Sequence, residues 1–463
     1  MPANFLAMQI EQLYTKCLAL GTYYIESNGE AAIIDPLRDT EQYLELAKSR
    51  GCQIKYIFET HFHADFVSGH LTLSKQTGAP IIYGPTAAPK FDALVAEDEQ
   101  VFPLGDIQIT CLHTPGHTLE SSCFLLTNKE GEKQALFSGD TLFLGDVGRP
   151  DLAQKAAQMT QEELAGTLYD SIQKKIINLP DDIVIYPGHG AGSACGKSMS
   201  KETVDTLGNQ KRTNYALRAD MTRNEFIQEV TDGLMPPPAY FPLNAQLNKE
   251  GYEDLTTLLE NINYLNAEQF ELNTQIDGNV VLDCRTADEF AACHIPKSIF
   301  VGIEGDFAPW AGTILKDTNT PLLVVANKHQ VEECVSRLAR VGFDNIIGVL
   351  DGGIDSWSKA GKTTDIIPCI TAEKLHDIAA YQTVWDVRKA SEYEAGHCKF
   401  SNNYPLSYLE DNMPERLQEV NVYCQGGYRS MIACSILKAK GVQHVVNVNG
   451  GYQEISKFDC CIS

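Results

Sequence analysis

Apolar positions in the first half of the chain fall into short β-prone runs, with helical stretches between them and glycine, proline and asparagine at the breaks. Leu18–Ile25 and Ala31–Asp35 alternate as strands do, and Asn28-Gly29 between them predicts a hairpin turn. Thr40 to Arg50 reads as a helix closed by Gly51. The run Ile54–Glu59 is a strand, followed by a helix through Leu71–Lys75. Short strands recur at Ala79–Tyr83, Ile107–His113, Cys123–Thr127, Gln134–Ser138 and Ile183–Tyr186. After a glycine-rich loop, Gly190–Lys197, helices are expected around Thr203–Leu217 and Asn224–Leu234. The second is stopped by Met235–Pro242, because proline removes donors and fixes φ. A further helical stretch, Glu253–Asn261, leads out of this region, whose strands and helices predict two sheets sandwiched between helices.

The remainder is an internal repeat. Asn266-Ala267-Glu268-Gln269-Phe270 matches Thr371-Ala372-Glu373-Lys374-Leu375, each a capped helix start. Val280–Arg285, then Glu289-Phe290 and His294, matches Thr383–Arg388, then Glu392-Tyr393 and His397. Leu350-Asp351-Gly352-Gly353 matches Val448-Asn449-Gly450-Gly451. A period this long predicts two tandem α/β domains with largely parallel sheets. The expected domains are 1–255, 256–363 and 364–463.

Composition narrows the partners. With 463 residues the chain exceeds one ordinary core. A formal charge of −24 argues against nucleic acid or an anionic membrane as partner. No stretch approaches the ~20 apolar residues of a membrane span. The first 25 residues lack the apolar core of a signal peptide, so a cytoplasmic protein is expected. The fourteen cysteines form no Cys-x-x-Cys pair, and most read as buried thiols. Cys460-Cys461 is read as a frayed end and given no role.

Candidate chemistry begins after the strand 54–59. His61, His63 and Asp65 lie within five residues, and strand alternation would aim them the same way. His117, Asp140 and His189 each follow a strand-to-loop junction downstream. Histidine and aspartate converging in this way point to a metal. The set, with its His-x-His-x-Asp motif, resembles the metallo-β-lactamase superfamily over about the first 250 residues, which implies an αββα sandwich. In that superfamily the motif continues with a second-site histidine, whereas this chain has Phe66. Phenylalanine cannot bind a metal, so one metal is favoured over two.

A second centre lies in the last repeat. Val420–Tyr423 ends at Cys424, followed by Gln425-Gly426-Gly427-Tyr428-Arg429 and a helix from Ser430. Backbone N–H groups around such a cysteine, the helix dipole and Arg429 would stabilise a thiolate or persulfide anion. This loop resembles that of a rhodanese sulfurtransferase, which implies a sulfane sulfur carried on Cys424 and binding by Gln425, Gly426, Gly427 and Tyr428. Many rhodaneses have arginine directly after the cysteine; here it is Gln425. The first repeat has Leu323–Val331 in the equivalent place, with no cysteine or glycine, and Cys334 lies in the following helix. That copy is expected to be catalytically silent, a spacer or docking element.

Together the parts resemble persulfide dioxygenase–sulfurtransferase fusions. The resemblance implies one Fe(II) held by His61, His117 and Asp140, with His63, Asp65 and His189 behind these ligands. It implies a low-molecular-weight thiol persulfide (glutathione, coenzyme A or similar), O2 and sulfite as partners, and leaves homo-oligomerisation open. Arg149, in Gly145–Asp151, is a candidate anchor for the carrier thiol or one half of a surface ion pair; Lys197 and Arg212 are weaker anchors. Cys195 is either a sulfur acceptor near the iron or an inert thiol. Two other readings compete: a glyoxalase II-like thioesterase with accessory rhodanese domains, against which Phe66 counts, and a non-catalytic sulfur carrier.

Overall fold

A computed structural model describes residues 8–154 and 158–458, and the backbone of Cys461–Ile462. The chain divides into two compact units, Met1–Thr257 with Ala339–Gly342, and Leu258–Leu338 with Phe343–Ser463.

In the first unit, β1 (Gln9–Thr15), β2 (Leu20–Ser27), β3 (Glu30–Ile34), β4 (Gln53–Phe58), β5 (Ile81–Tyr83) and β6 (Leu94–Val95) form one sheet in that order. The turn between β2 and β3 has positive φ at both Asn28 and Gly29, the conformation that matches strand twist in a two-residue hairpin. The second sheet runs β12 (Asp205–Thr206), β11 (Val184–Pro187), β10 (Lys133–Gly139), β9 (Ser122–Thr127), β8 (Ile107–His113), β7 (Val101–Leu104).

The period of two decides what lies between the sheets. Phe124 and Leu126 of β9 join Tyr23, Ile25, Phe58 and Ile82 of the first sheet in one buried core. Cys123 and Leu125, on the other face of β9, pack with Leu168, Ile172, Phe226 and Val230 of the outer helices. The helix Gln161–Ser171 is started by a capping box of Thr160 and Glu163. A helix Phe241–Glu250 begins inside the stretch expected to be a proline stop, because Pro242 sits in its first turn, where no N–H is needed.

The second unit holds two five-stranded parallel sheets of one design. The first is β13 (Tyr264–Leu265), β17 (Ile346–Leu350), β16 (Leu322–Val325), β14 (Val280–Asp283), β15 (Ile299–Phe300). The second is β18 (Cys369–Ile370), β23 (His444–Val448), β22 (Glu419–Tyr423), β19 (Val384–Asp386), β21 (Ser401–Asn403). In each copy the strand order is first, fifth, fourth, second, third. Cys460 lies outside the described residues, while the backbone of Cys461 pairs with that of Cys398.

Candidate metal centre and cysteine loop

β4 ends at Phe58, so Thr60 to Phe66 runs as a loop and strand alternation does not govern it. The three motif side chains therefore part, contrary to the expectation that they align. His61 meets His117 and Asp140; His63 meets Asp35 and Glu59; Asp65 meets His189 and Cys195. All nine groups are buried.

The first cluster has a metal-binding geometry. Thr60 Oγ1 donates to Asp35 Oδ2 and so accepts from His61 Nδ1 at 2.9 Å. His117 Nδ1 donates to the Arg149 carbonyl at 2.8 Å. Both rings are thereby fixed with the Nε2 lone pair free. Those nitrogens lie 3.9 and 3.5 Å from Asp140 Oδ2, a fully buried oxygen with no hydrogen-bond partner. Two imidazole lone pairs and an unpaired carboxylate oxygen facing one point fit a divalent metal ion.

Electrostatics sharpen the picture. Burial, then His63, pushes His61 well below the ordinary histidine range, which keeps the ring neutral. Burial raises Asp140, but His189, His61 and His117 outweigh it and hold the carboxyl below its usual range. His189 goes the other way: burial lowers it, while Asp140 and Asp65 bring it well above the usual value. Its Nδ1 donates to Asp140 Oδ1 at 2.9 Å, and its Nε2 lies 2.8 Å from Asp65 Oδ2. His189 thus decides which oxygen of Asp140 faces the two histidines.

His63 stands beside this cluster but addresses another. Its ring is 4.2 Å from that of His61, yet Nε2 is 3.1 Å from Asp35 Oδ1 and 3.5 Å from Glu59 Oε2. The Phe66 ring packs on its other side at 4.4 Å. A side chain outside the motif ties down its second half: Asn248 Nδ2 donates to the His63 and Phe66 carbonyls, both at 2.7 Å, and its Oδ1 accepts from Ser68 N. Asn248, Asp35 and Glu59 had escaped sequence reading. Asp35 carried the same signal as Asp140, an aspartate just past a strand; Asn248 sits on the helix masked by the proline run.

The expected anchors are otherwise engaged. Arg149 is buried, its guanidinium held by both oxygens of Asp151 and by the Ala194 and Met235 carbonyls. It is built into the loop rather than offered to a carrier thiol, and the pair it forms is not at the surface. Lys197 Nζ donates to the Glu229 and Asp232 carbonyls. Arg212 is bonded to Asn209 on the surface. Cys195, expected in a mobile loop, is 1% exposed, and burial beside Asp65 and Asp140 raises its thiol well above the usual range. That favours the protonated, poorly nucleophilic form.

In the second unit, Cys424 follows β22, and the Gly427 N–H donates to its Sγ at 3.1 Å. Gly427, at φ 109°, precedes the helix Tyr428–Ala439. Arg429 is clasped by both oxygens of Glu392 at 2.7 and 2.8 Å, and Gln425 accepts from Arg388. Tyr428, expected to bind substrate, donates its hydroxyl to the Gly302 carbonyl instead. The first rhodanese-like copy is aligned by register: Val325 and Tyr423 each pair with the aspartate that ends the neighbouring strand, so Ala326 stands where Cys424 stands.

Residues 22–189 match the metallo-beta-lactamase superfamily, and residues 266–360 and 371–458 match the rhodanese-like domain. A solved metallo-beta-lactamase from Staphylococcus aureus subsp. aureus COL is 30% identical with a TM-score of 0.65, covering 74% of this chain and 98% of that one. A hydroxyacylglutathione hydrolase from a Polaromonas species is 34% identical over 168 residues, 35% of this chain and 57% of the relative. Glyoxylase B2 of Dictyostelium discoideum is 27% identical over 266 residues, 52% of this chain and 84% of the relative. The chain thus spans less than two thirds of the length of the Polaromonas relative.

Proposed function

Because the chain belongs to the metallo-β-lactamase superfamily and carries two rhodanese-like domains after that fold, we propose that it is a persulfide dioxygenase joined to a sulfurtransferase. At the first centre, one thiol persulfide, one O2 and one water give the thiol, sulfite and two protons. At the second, sulfite attacks the outer sulfur of a Cys424 persulfide; the S–S bond breaks, thiosulfate leaves and the cysteine thiolate remains. We assign residues 1–255 to the first activity, 256–363 to a silent copy and 364–463 to the second.

His61, His117 and Asp140 would hold the ion. A bound iron(II), one per chain, would supply O2 activation at the positions three protein ligands leave open. His189 keeps Asp140 Oδ2 turned to the ligand side, and burial of the cluster excludes bulk water. At the second centre, Gly427 N–H faces the sulfur, and the first turn of the helix 428–439 favours an anion there.

The observation that carries this reading is Phe66, which stands where the superfamily motif has a second-site histidine, together with His63 Nε2, which faces Asp35 and Glu59 rather than Asp140. Glutathione is the carrier we favour, since curated relatives are named for a glutathione thioester; coenzyme A is the second candidate. The same names favour a hydroxyacylglutathione thioesterase as the second reading. Metal analysis of anaerobically purified protein, run with O2 uptake on glutathione persulfide, separates them. We expect one iron per chain and O2 consumption. Two zinc ions, thioester cleavage and no O2 uptake would transfer the assignment to the hydrolase.

A further inference from the structure

The first residue of the helix 428–439 is tied to the other rhodanese-like copy. Tyr428 Oη donates to the Gly302 carbonyl at 2.7 Å. Its ring lies where a side chain at position 305 would be: a Cβ on Gly305 would meet Tyr428 ring carbons at 2.3 to 2.7 Å. Two turns along the same helix face, Ser435 Oγ accepts from the Phe300 N–H at 2.9 Å. Phe290, Ala291 and Phe300 of the silent copy share one buried core with Trp385, Cys424, Met431 and Ile432 of the other.

The segment that makes these contacts is itself anchored in the silent copy. Val301 N–H donates to the Asp283 carbonyl and Ile303 N–H to that of Cys284, while Arg337 donates to the Ile303 carbonyl at 2.7 Å. Gly302 therefore sits on the silent copy's own Asp-x-Arg corner. On the other side, the residue before Tyr428 is Gly427, whose N–H donates to Cys424 Sγ. A continuous path runs from Gly302 and Gly305 through Tyr428 and Gly427 to the sulfur.

We propose that the silent rhodanese-like copy is a working part of the sulfur-transfer site: Gly302 and Gly305 seat Tyr428, and Tyr428 sets the Gly427 N–H onto Cys424 Sγ. Tyr428 is a positioning residue, not a substrate contact. The copy without the cysteine thereby serves as the wall against which the active loop is held. This rests on Cys424 being the sulfur carrier, but the geometric claim about its loop can be read without any transfer activity.

The test uses the full chain with Gly305→Ala, Tyr428→Phe and, as control, Lys328→Ala in the silent copy's own loop. Two readouts are taken: the iodoacetamide alkylation rate of Cys424 by peptide mass spectrometry, and kcat and KM for thiosulfate formation from glutathione persulfide and sulfite. Gly305→Ala, which displaces the ring, is expected to change the alkylation rate severalfold and lower kcat about tenfold with KM little altered. Tyr428→Phe removes one hydrogen bond and should lower kcat about three- to tenfold. Lys328→Ala should match the parent in both. If Gly305→Ala fails to fold, Tyr428→Phe carries the test. If the parent chain forms no thiosulfate, the sulfur-carrier reading fails, and alkylation alone decides the loop claim. Parental alkylation rates in both variants would overturn the proposal.

Discussion

The two rhodanese-like copies turn the same corner with the same bonds. Arg285 reaches Asp283 Oδ2 at 2.6 Å and the Cys293 carbonyl at 2.7 Å; Arg388 reaches Asp386 Oδ2 and the Gly396 carbonyl, both at 2.7 Å. Beyond the fourth strand the copies separate. One continues Cys424-Gln425-Gly426-Gly427, with a left-handed glycine and an N–H on sulfur. The other continues Ala326-Asn327-Lys328-His329 into a 3-10 turn, Lys328–Gln330. The partner of the acidic residue changes as well: Glu392 clasps Arg429, whereas in the other copy Glu289 faces the Asn327 amide, at 3.3 and 3.4 Å, in place of an arginine. The Asp-x-Arg corner is therefore common to both copies, and the proposed sulfur transfer rests on the short loop after the fourth strand.

If that division is right, a cysteine alone does not restore function. Ala326→Cys placed in a Cys424→Ser background should form no measurable thiosulfate, because no glycine N–H faces the new sulfur. Recovery of even a few per cent of parental turnover would mean that the loop backbone matters less than the thiol.

The arginines give the next largest effect, this time on stability. Arg285→Ala and Arg388→Ala each strand a buried aspartate, and each should cost about 3–5 kcal/mol in chemical denaturation. Similar losses in the two copies would mark the corner as structural. A large catalytic loss with little unfolding in Arg388→Lys, absent from Arg285→Lys, would instead make Arg388 part of the reaction.

How far these differences could be read in advance varies with their cause. The hairpin at Asn28-Gly29, the helix ended by Gly51 and the two Asp-x-Arg corners follow from local backbone preferences, so single residues announce them. The strand-end positions of His61, His117, Asp140 and His189 were legible for the same reason. The parting of His61, His63 and Asp65 was not, because it depends on β4 ending at Phe58 and on Asn248, which is distant in sequence, gripping the loop. Pro242 hid a helix because proline stops a helix interior but suits its first turn. Substrate binding by Tyr428 was expected through the loop's resemblance to rhodaneses, while its tertiary contact with the Gly302 carbonyl left no local signal.

The smallest effect concerns the pair that Asn327 cannot form. The Arg429 hydrogen bonds hold Glu392 below the usual carboxylate range. A folded pKa below the unfolded one stabilises above the unfolded value, roughly 4.3, and that contribution fades as pH falls through the folded value. Because the pair is partly exposed, Glu392→Gln should cost no more than about 1 kcal/mol at pH 7. In urea titrations the gap from the parent should close as the pH drops below about 4. A constant gap would show that the pair does not act through its charge.

Product analysis of Cys424→Ser, run with an oxygen electrode, tests most directly whether one copy carries the sulfur while the other serves as its frame. The parent should consume O2 and release thiosulfate; the variant should consume O2 at nearly the same rate and release sulfite. Thiosulfate at the parental rate from Cys424→Ser would contradict the account and move the sulfur relay away from this loop.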